Sequence, residues 1–173
     1  MNMETEFKKD LTFAEEQRRK LKPFYKKYSY EGRYIFVNKE SGILGNELQK
    51  KSIDTILQKT DKKEIYIEEK IVRWKGKKLT AFALETHSCT VPGREKDGWM
   101  KYGEFDILLY GFTQADGSIE VYVIPFAKLK KWFWEYYLFF TETITDQINK
   151  SACRLVDINH VEEVIGFKKF TVK

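Results

Sequence analysis

The stretch KKSIDTILQKTDKKEIYIEEKIVRW constrains the fold more than any other part of the chain. Ile53, Ile56 and Leu57 form one short apolar run, Thr60-Asp61-Lys62-Lys63 a polar turn, and Ile65, Ile67 and Ile71 anchor a second apolar run. Two β-branched runs bounded by a polar turn predict two antiparallel strands joined in a hairpin. Successive side chains of a strand point to opposite faces. Glu64, Tyr66, Glu68, Lys70 and Val72 therefore share one face, and Ile65, Ile67, Glu69 and Ile71 the other. This brings Glu68 beside Lys70, with Asp54 arriving from the neighbouring strand. Glu69 falls on the apolar side, where the expectation is a bulge or a contact with a base.

That grouping has a chemical use. A hard divalent ion such as Mg²⁺ is usually held by one or two carboxylates and keeps its other positions for water and phosphate oxygens. Asp54 and Glu68 are the candidates to hold it. A lysine at the same place stabilises charge developing at phosphorus or positions the attacking water, whose pKa the metal lowers. The product is a cleaved phosphodiester. The competing reading is a solvated hairpin face: 33% of the residues are charged, and Glu and Lys often alternate on exposed strands for cross-strand pairing.

Ile53-Asp54 on one strand, followed after a turn by Glu68-Glu69-Lys70 on the next, resembles the signature of the PD-(D/E)XK nuclease superfamily. Ile53 stands where the proline of the name would be. The order of elements, a helix, a strand, the Asp strand, the E-X-K strand and then further strands and a helix, is similar to the family's. The resemblance implies an α/β (α+β) fold of the restriction-endonuclease-like kind, with a mixed central sheet flanked by helices. It also implies Asp54, Glu68 and Lys70 as catalytic residues, Mg²⁺ or Mn²⁺ as cofactor, and nucleic acid as partner, DNA ahead of RNA. The family's first helix often carries a glutamate that reaches the metal, and Glu15 or Glu16 would be its counterpart here; the other reading makes both solvated first-turn acids. Members include restriction enzymes, repair nucleases, junction resolvases and phage-derived proteins, and small members often dimerise, so a homodimer is one expectation. A silent nucleic-acid-binding module on the same fold and a protein-interaction domain are the alternatives to a nuclease.

With 173 residues, 42% of them hydrophobic and 16% aromatic, the chain is expected to form one domain, 1–173, around a sizeable core. No apolar run approaches the roughly 20 residues that span a bilayer, which argues against a membrane partner. The opening MNMETEFKKDLTF lacks the apolar centre of a signal peptide, so a cytoplasmic protein is expected. Two cysteines and two histidines give no zinc framework, and Cys89 and Cys153 read as buried free thiols. The net charge of +5 suits a polyanionic partner, through which lysines would offset the repulsion between phosphates and the site's own carboxylates.

Along the chain, Thr12-Phe13-Ala14-Glu15 has the form of a capping box opening a helix toward Leu21, ahead of Pro23. Tyr34-Ile35-Phe36-Val37 reads as a strand, residues 38–45 as a loop, and residues 46–51 as a single helical turn. Gln49, Lys50 and Lys51 there are candidates for a phosphate backbone, against the alternative of a solvated turn. Arg73, Trp74, Lys75, Lys77 and Lys78 read as a basic hairpin tip that could follow a nucleic-acid strand, with Trp74 stacking on a base. Lysines guarding a strand edge are the competing explanation. Residues 79–84 read as a central strand, antiparallel to the E-X-K strand, delivering Glu85 as a further metal ligand. His87 is either a satisfied polar group or a base. Residues 90–101 read as a flap over a groove, and Asp106 as an acid able to approach the active face. Strands are expected over 105–110, 119–124 and 154–158. An amphipathic helix is expected to carry Phe126, Leu129, Trp132, Phe133, Tyr136, Tyr137 and Phe140 as a core stripe. A short helix follows with Asn159 as its cap.

Overall fold

The computed structural model describes residues 3–37, 42–60, 62–145 and 149–173. Helix α1 (Met3–Tyr28) leads to strand β1 (Tyr34–Phe36), helix α2 (Gly42–Lys50), β2 (Thr55–Thr60) and β3 (Lys63–Val72). Then come β4 (Ala81–Cys89), β5 (Lys96–Asp97), α3 (Trp99–Tyr102), β6 (Ile107–Thr113) and β7 (Ile119–Pro125). Helix α4 (Phe126–Glu135), β8 (Thr141–Ile144), β9 (Ala152–Asp157), α5 (Ile158–Val164) and β10 (Lys168–Val172) complete the chain. The class is α+β: a mixed six-stranded sheet in the order β1-β2-β3-β6-β7-β10, and an antiparallel four-stranded sheet in the order β5-β4-β9-β8.

The hairpin expected from the alternating pattern is β2–β3, antiparallel, with Thr55 opposite Ile67; Asp61 of its turn lies outside the described residues. Strand β3 pairs in parallel with β6, Glu68 beside Leu108 and Lys70 beside Tyr110. A parallel pair needs a long crossover, and residues 73–106 supply it by way of β4, β5 and α3. This corrects two expectations. The basic stretch 73–78 is not a hairpin tip, because β3 and β4 do not pair. Residues 79–84 do not enter the central sheet either, since β4 pairs with β9 and β5 in the second sheet. A short apolar run states that a strand is buried, not which sheet buries it.

The central sheet is covered on both faces. On one, Leu21 and Tyr25 of α1 pack over Leu57, Ile67, Leu109, Ile119 and Val121. On the other, Leu108, Tyr110, Phe112, Tyr122 and Ile124 meet Phe82 and Leu84 of β4, Trp99 and Met100 of α3, and the apolar side of α4. Glu69 falls in the first layer, and Glu68 and Lys70 lie toward the second.

Local signals held in some places and yielded in others. Helix α1 starts ahead of Thr12 and runs on through Pro23, so Thr12 is not its cap; burial of Leu21 and Tyr25, both fully inaccessible, keeps the helical turn going past the proline. Residues 38–41 lie outside the described residues, and Gly42 to Gly45, expected as loop, open α2. Helix α4 buries Phe126, Leu129, Trp132 and Phe133 as expected but ends at Glu135; Tyr136 is exposed, while Phe140 is buried from beyond a short 3₁₀ turn. The cap of α5 is Asp157, not Asn159: its carboxylate accepts from the N–H groups of Asn159 and His160, a stronger acceptor than an amide at that place. Residues 90–101 are no free flap, because Trp99 and Met100 are almost wholly buried. Cys89 and Cys153 are buried free thiols.

Candidate functional site

Asp54 is set by the chain just before β2. Helix α2 ends at Lys50, and Ser52 follows with a φ of 59°, in the left-handed region that costs a side-chain-bearing residue about 1 kcal/mol or more. The reversal returns the Ile53 N–H to the Leu48 carbonyl and starts the ladder, with the Asp54 N–H donating to the Ile67 carbonyl at 2.8 Å. Ile53, 2% exposed, fastens the turn into the core. Asp54 thus stands at the mouth of the β2–β3 pair, level with Glu68 and Glu69.

Its carboxylate works in two directions. One oxygen accepts from the Glu69 backbone N–H at 3.0 Å, and the other from an Arg18 guanidinium nitrogen at 2.9 Å. Toward the opposite layer its charge acts on the Glu68 carboxyl. Glu68, with a side chain only 4% exposed, forms an ion pair with Lys70 at 3.0 Å. Burial pushes the Glu68 carboxyl up to about 8, the ammonium of Lys70 opposes this, and the charge of Asp54 adds to it. For Lys70, burial disfavours the charged form, but Glu68 outweighs it, with Asp54 and Glu85 adding, and holds the amine above its ordinary value. Asp54, Glu68 and Lys70, singled out from the sequence, are brought together.

Glu85 acts on Lys70 and on the Tyr102 hydroxyl through its charge. It is placed by a register shift between Glu85 and His87 in the β4–β9 pairing, the kind of bulge that re-aims side chains. Gly98 allows the approach, since a Cβ there would lie 2.6 Å from the Glu85 carbonyl oxygen. Among the described residues no group of three or more His, Cys, Asp or Glu side chains is spaced to hold a metal ion. Glu68, Asp54 and Glu85 all act on the Lys70 ammonium through their charge, Glu68 most strongly. Two hard oxygen donors from Asp54 and Glu68, the second pushed toward its protonated form chiefly by burial and further by the charge of the first, suit Mg²⁺ or Mn²⁺, which takes one or two carboxylates and keeps water on the rest of its shell.

The remaining candidates divide. Glu15 and Glu16 lie exposed on α1, Glu16 within 3.8 Å of Lys20; the side chain of that helix reaching Asp54 is the cation Arg18. Lys50 pairs with Glu47 and Lys51 with Glu104, both at 2.7 Å, and Gln49 is half-buried beside them. Arg73 and Lys75 line a cleft of about 520 Å³ with Phe13, Gln17, Arg18 and Lys70. The Arg73 guanidinium lies 4.4 Å from the centre of the Phe13 ring. Trp74 is 37% exposed, and Lys77 lines a small neighbouring recess. His87 is engaged by Thr86 and Lys101, and Asp106 accepts from the Tyr66 N–H at 2.9 Å, which makes it part of the ladder and not of the site.

Sequence reasoning missed the group around Glu69. Buried on the α1 face, this carboxylate accepts from Arg18 at 3.1 Å, from the Tyr25 hydroxyl at 2.7 Å and from the Thr55 hydroxyl. Burial pushes its carboxyl up, and Arg18 with the Thr55 and Tyr25 hydroxyls acts against that. The signal was present as an acid in an apolar alternation, which demands a buried partner. No family model matches the chain, and neither a curated protein nor a solved structure matches it.

Proposed function

We propose that this protein is a metal-dependent phosphodiesterase acting on nucleic acid, a nuclease resembling the PD-(D/E)XK superfamily. One observation carries the reading: two carboxylates and an ammonium meet across adjacent strands, from Asp54, Glu68 and Lys70. Asp54 and Glu68 would hold Mg²⁺ or Mn²⁺, which would supply Lewis acidity at a phosphate oxygen and a lowered pKa for a water. Lys70 would then lose its pairing with Glu68 and become the cation that stabilises negative charge growing at phosphorus or orients the attacking water. Arg73 and Lys75, beside Lys70, would hold the phosphate backbone.

A second reading, a binding module that cuts nothing, is favoured by a specific observation. Both oxygens of Asp54 are engaged, one by Arg18, and Glu68 is engaged by Lys70. Incubation of a single-stranded and a duplex oligonucleotide with Mg²⁺ or Mn²⁺ separates the two. Cleavage that falls by roughly 10²-fold or more in both Asp54→Ala and Lys70→Ala, with circular dichroism showing both variants folded, is the expected outcome. Equal cleavage in either variant removes the nuclease assignment, and salt-sensitive binding in EDTA without products under either metal favours the module.

A further inference from the structure

The cleft lined by Phe13, Gln17, Arg18, Lys70, Arg73 and Lys75 has in its wall a buried polar group without a partner among the described residues. Gln17 is 3% exposed, and its Oε1 finds no hydrogen-bond partner among the described residues. A buried acceptor left in that state is costly, and a donor from a ligand would satisfy it once the Gln17 amide, closed off from solvent in this structure, turned its oxygen to the cleft. The walls around it are apolar, from Phe13, Ala14, Ile71 and Val72, and the cations Arg73 and Lys75 stand with them. A volume of about 520 Å³ falls in the range that admits a small organic ligand. Its occupant must offer a flat apolar body, an N–H donor and a negative charge.

We propose that this cleft takes one unpaired nucleotide, its base lying against Phe13 and the Ile71–Val72 wall with an N–H on Gln17 Oε1, and its phosphate on Arg73 and Lys75. All the common bases carry an N–H donor on the edge that pairing would occupy, so the cleft accepts any of them, and only when unpaired. The inference rests on the nuclease reading and sharpens it, making the substrate single-stranded, frayed or flipped at that nucleotide. Arg18 joins the two places, lining the cleft and bonding to Asp54. The same chemistry could come from a free nucleotide or from a residue within a strand.

The test uses the full chain and its Gln17→Leu, Gln17→Glu and Lys75→Ala variants. Anisotropy reads a short fluorescent single-stranded oligodeoxynucleotide and its duplex, calorimetry reads adenosine monophosphate, and both are done in EDTA. Gln17→Leu is expected to melt no lower than the parent, because it removes an unsatisfied buried acceptor, while binding of the single strand weakens by roughly tenfold and that of the duplex stays unchanged. Gln17→Glu weakens it further by adding like charge, and Lys75→Ala weakens it while flattening its salt dependence. A single strand bound far better than adenosine monophosphate identifies the strand as the source; comparable affinities, both sensitive at Gln17, identify the free nucleotide. Unchanged single-strand and mononucleotide binding in Gln17→Leu overturns the inference, and so does equal weakening toward duplex. Cleavage by the parent protein is scored separately: its absence beside Gln17-sensitive binding sinks the nuclease reading alone, and its presence beside Gln17-insensitive binding sinks this inference alone.

Discussion

Glu68 decides how the candidate site answers to pH. Its carboxyl is raised from an ordinary 4.5 to about 8 by burial, so the folded protein tolerates it best when protonated. A raised acid contributes its stability fully below the unfolded value and loses it as pH climbs through the folded one. Between about pH 4.5 and 8 this residue should therefore make the metal-free protein progressively less stable, and Glu68→Gln should flatten that part of the profile in denaturant titrations at stepped pH. Metal binding runs the other way, because the ligand must be ionised and its proton is released on binding. Mn²⁺ affinity by calorimetry should rise with pH up to about 8 and level off above it, with proton uptake by the buffer. An affinity flat across that interval would mean that Glu68 is no ligand. The proximity of Glu68, Lys70 and Asp54 was legible in the sequence because strand alternation has a period of two and leaves little freedom. The displaced pKa was not, because it depends on how completely the folded layers bury the Glu68 carboxyl, which strand alternation does not record.

Helix α1 and strand β3 meet through Arg18 and Glu69, and that contact ties the first layer of the core to the site. Glu69 is 5% exposed at its side chain and Arg18 27%. Removing the cation leaves a buried carboxylate with only hydroxyl donors, so Arg18→Met should destabilise by roughly 2–4 kcal/mol, less than a fully buried pair because the guanidinium is partly solvated. Urea denaturation measures this, and Glu69→Gln in the Arg18→Met background should recover part of the loss. If the double variant is no more stable than the single one, the two side chains are not coupled. What could be read at this scale followed from period and length. The β2–β3 hairpin and the buried stripe of α4 show their periodicity openly, whereas the partner of β4 is settled by long-range pairing with β9, about 70 residues downstream, which no local pattern records. Arg18 was hidden for a similar reason: it is one of many basic residues on a helix, and only the packing of Leu21 and Tyr25 turns it toward Asp54.

The two sheets close on each other around α3, so the candidate site and the main core share a wall. Trp99 is 1% exposed, packs against Phe105 and Phe126, and presents its ring 5.8 Å from the Lys70 ammonium. It belongs to the crossover that makes β3 and β6 parallel, the segment whose sequence suggested an exposed flap. With 38% of the Lys70 side chain exposed, its ammonium over an indole gains about 1 kcal/mol, more than over a phenyl ring, and the same ring fills space between the sheets. Trp99→Ala should cost roughly 3–5 kcal/mol through the cavity it opens. Trp99→Phe keeps an apolar ring and should cost only about 1–2 kcal/mol, lowering the melting temperature by a few degrees. It should also be felt at Lys70: with the indole gone the ammonium is oriented only by Glu68 and the more distant charges of Asp54 and Glu85, and metal-dependent cleavage should slow by about tenfold. Stability and cleavage measured side by side on the phenylalanine variant check this. Parent-like cleavage at a lowered melting temperature would make Trp99 a wall of the core only, whereas slowed cleavage in a nearly parent-like fold would make the junction of the two sheets the device that aims the lysine.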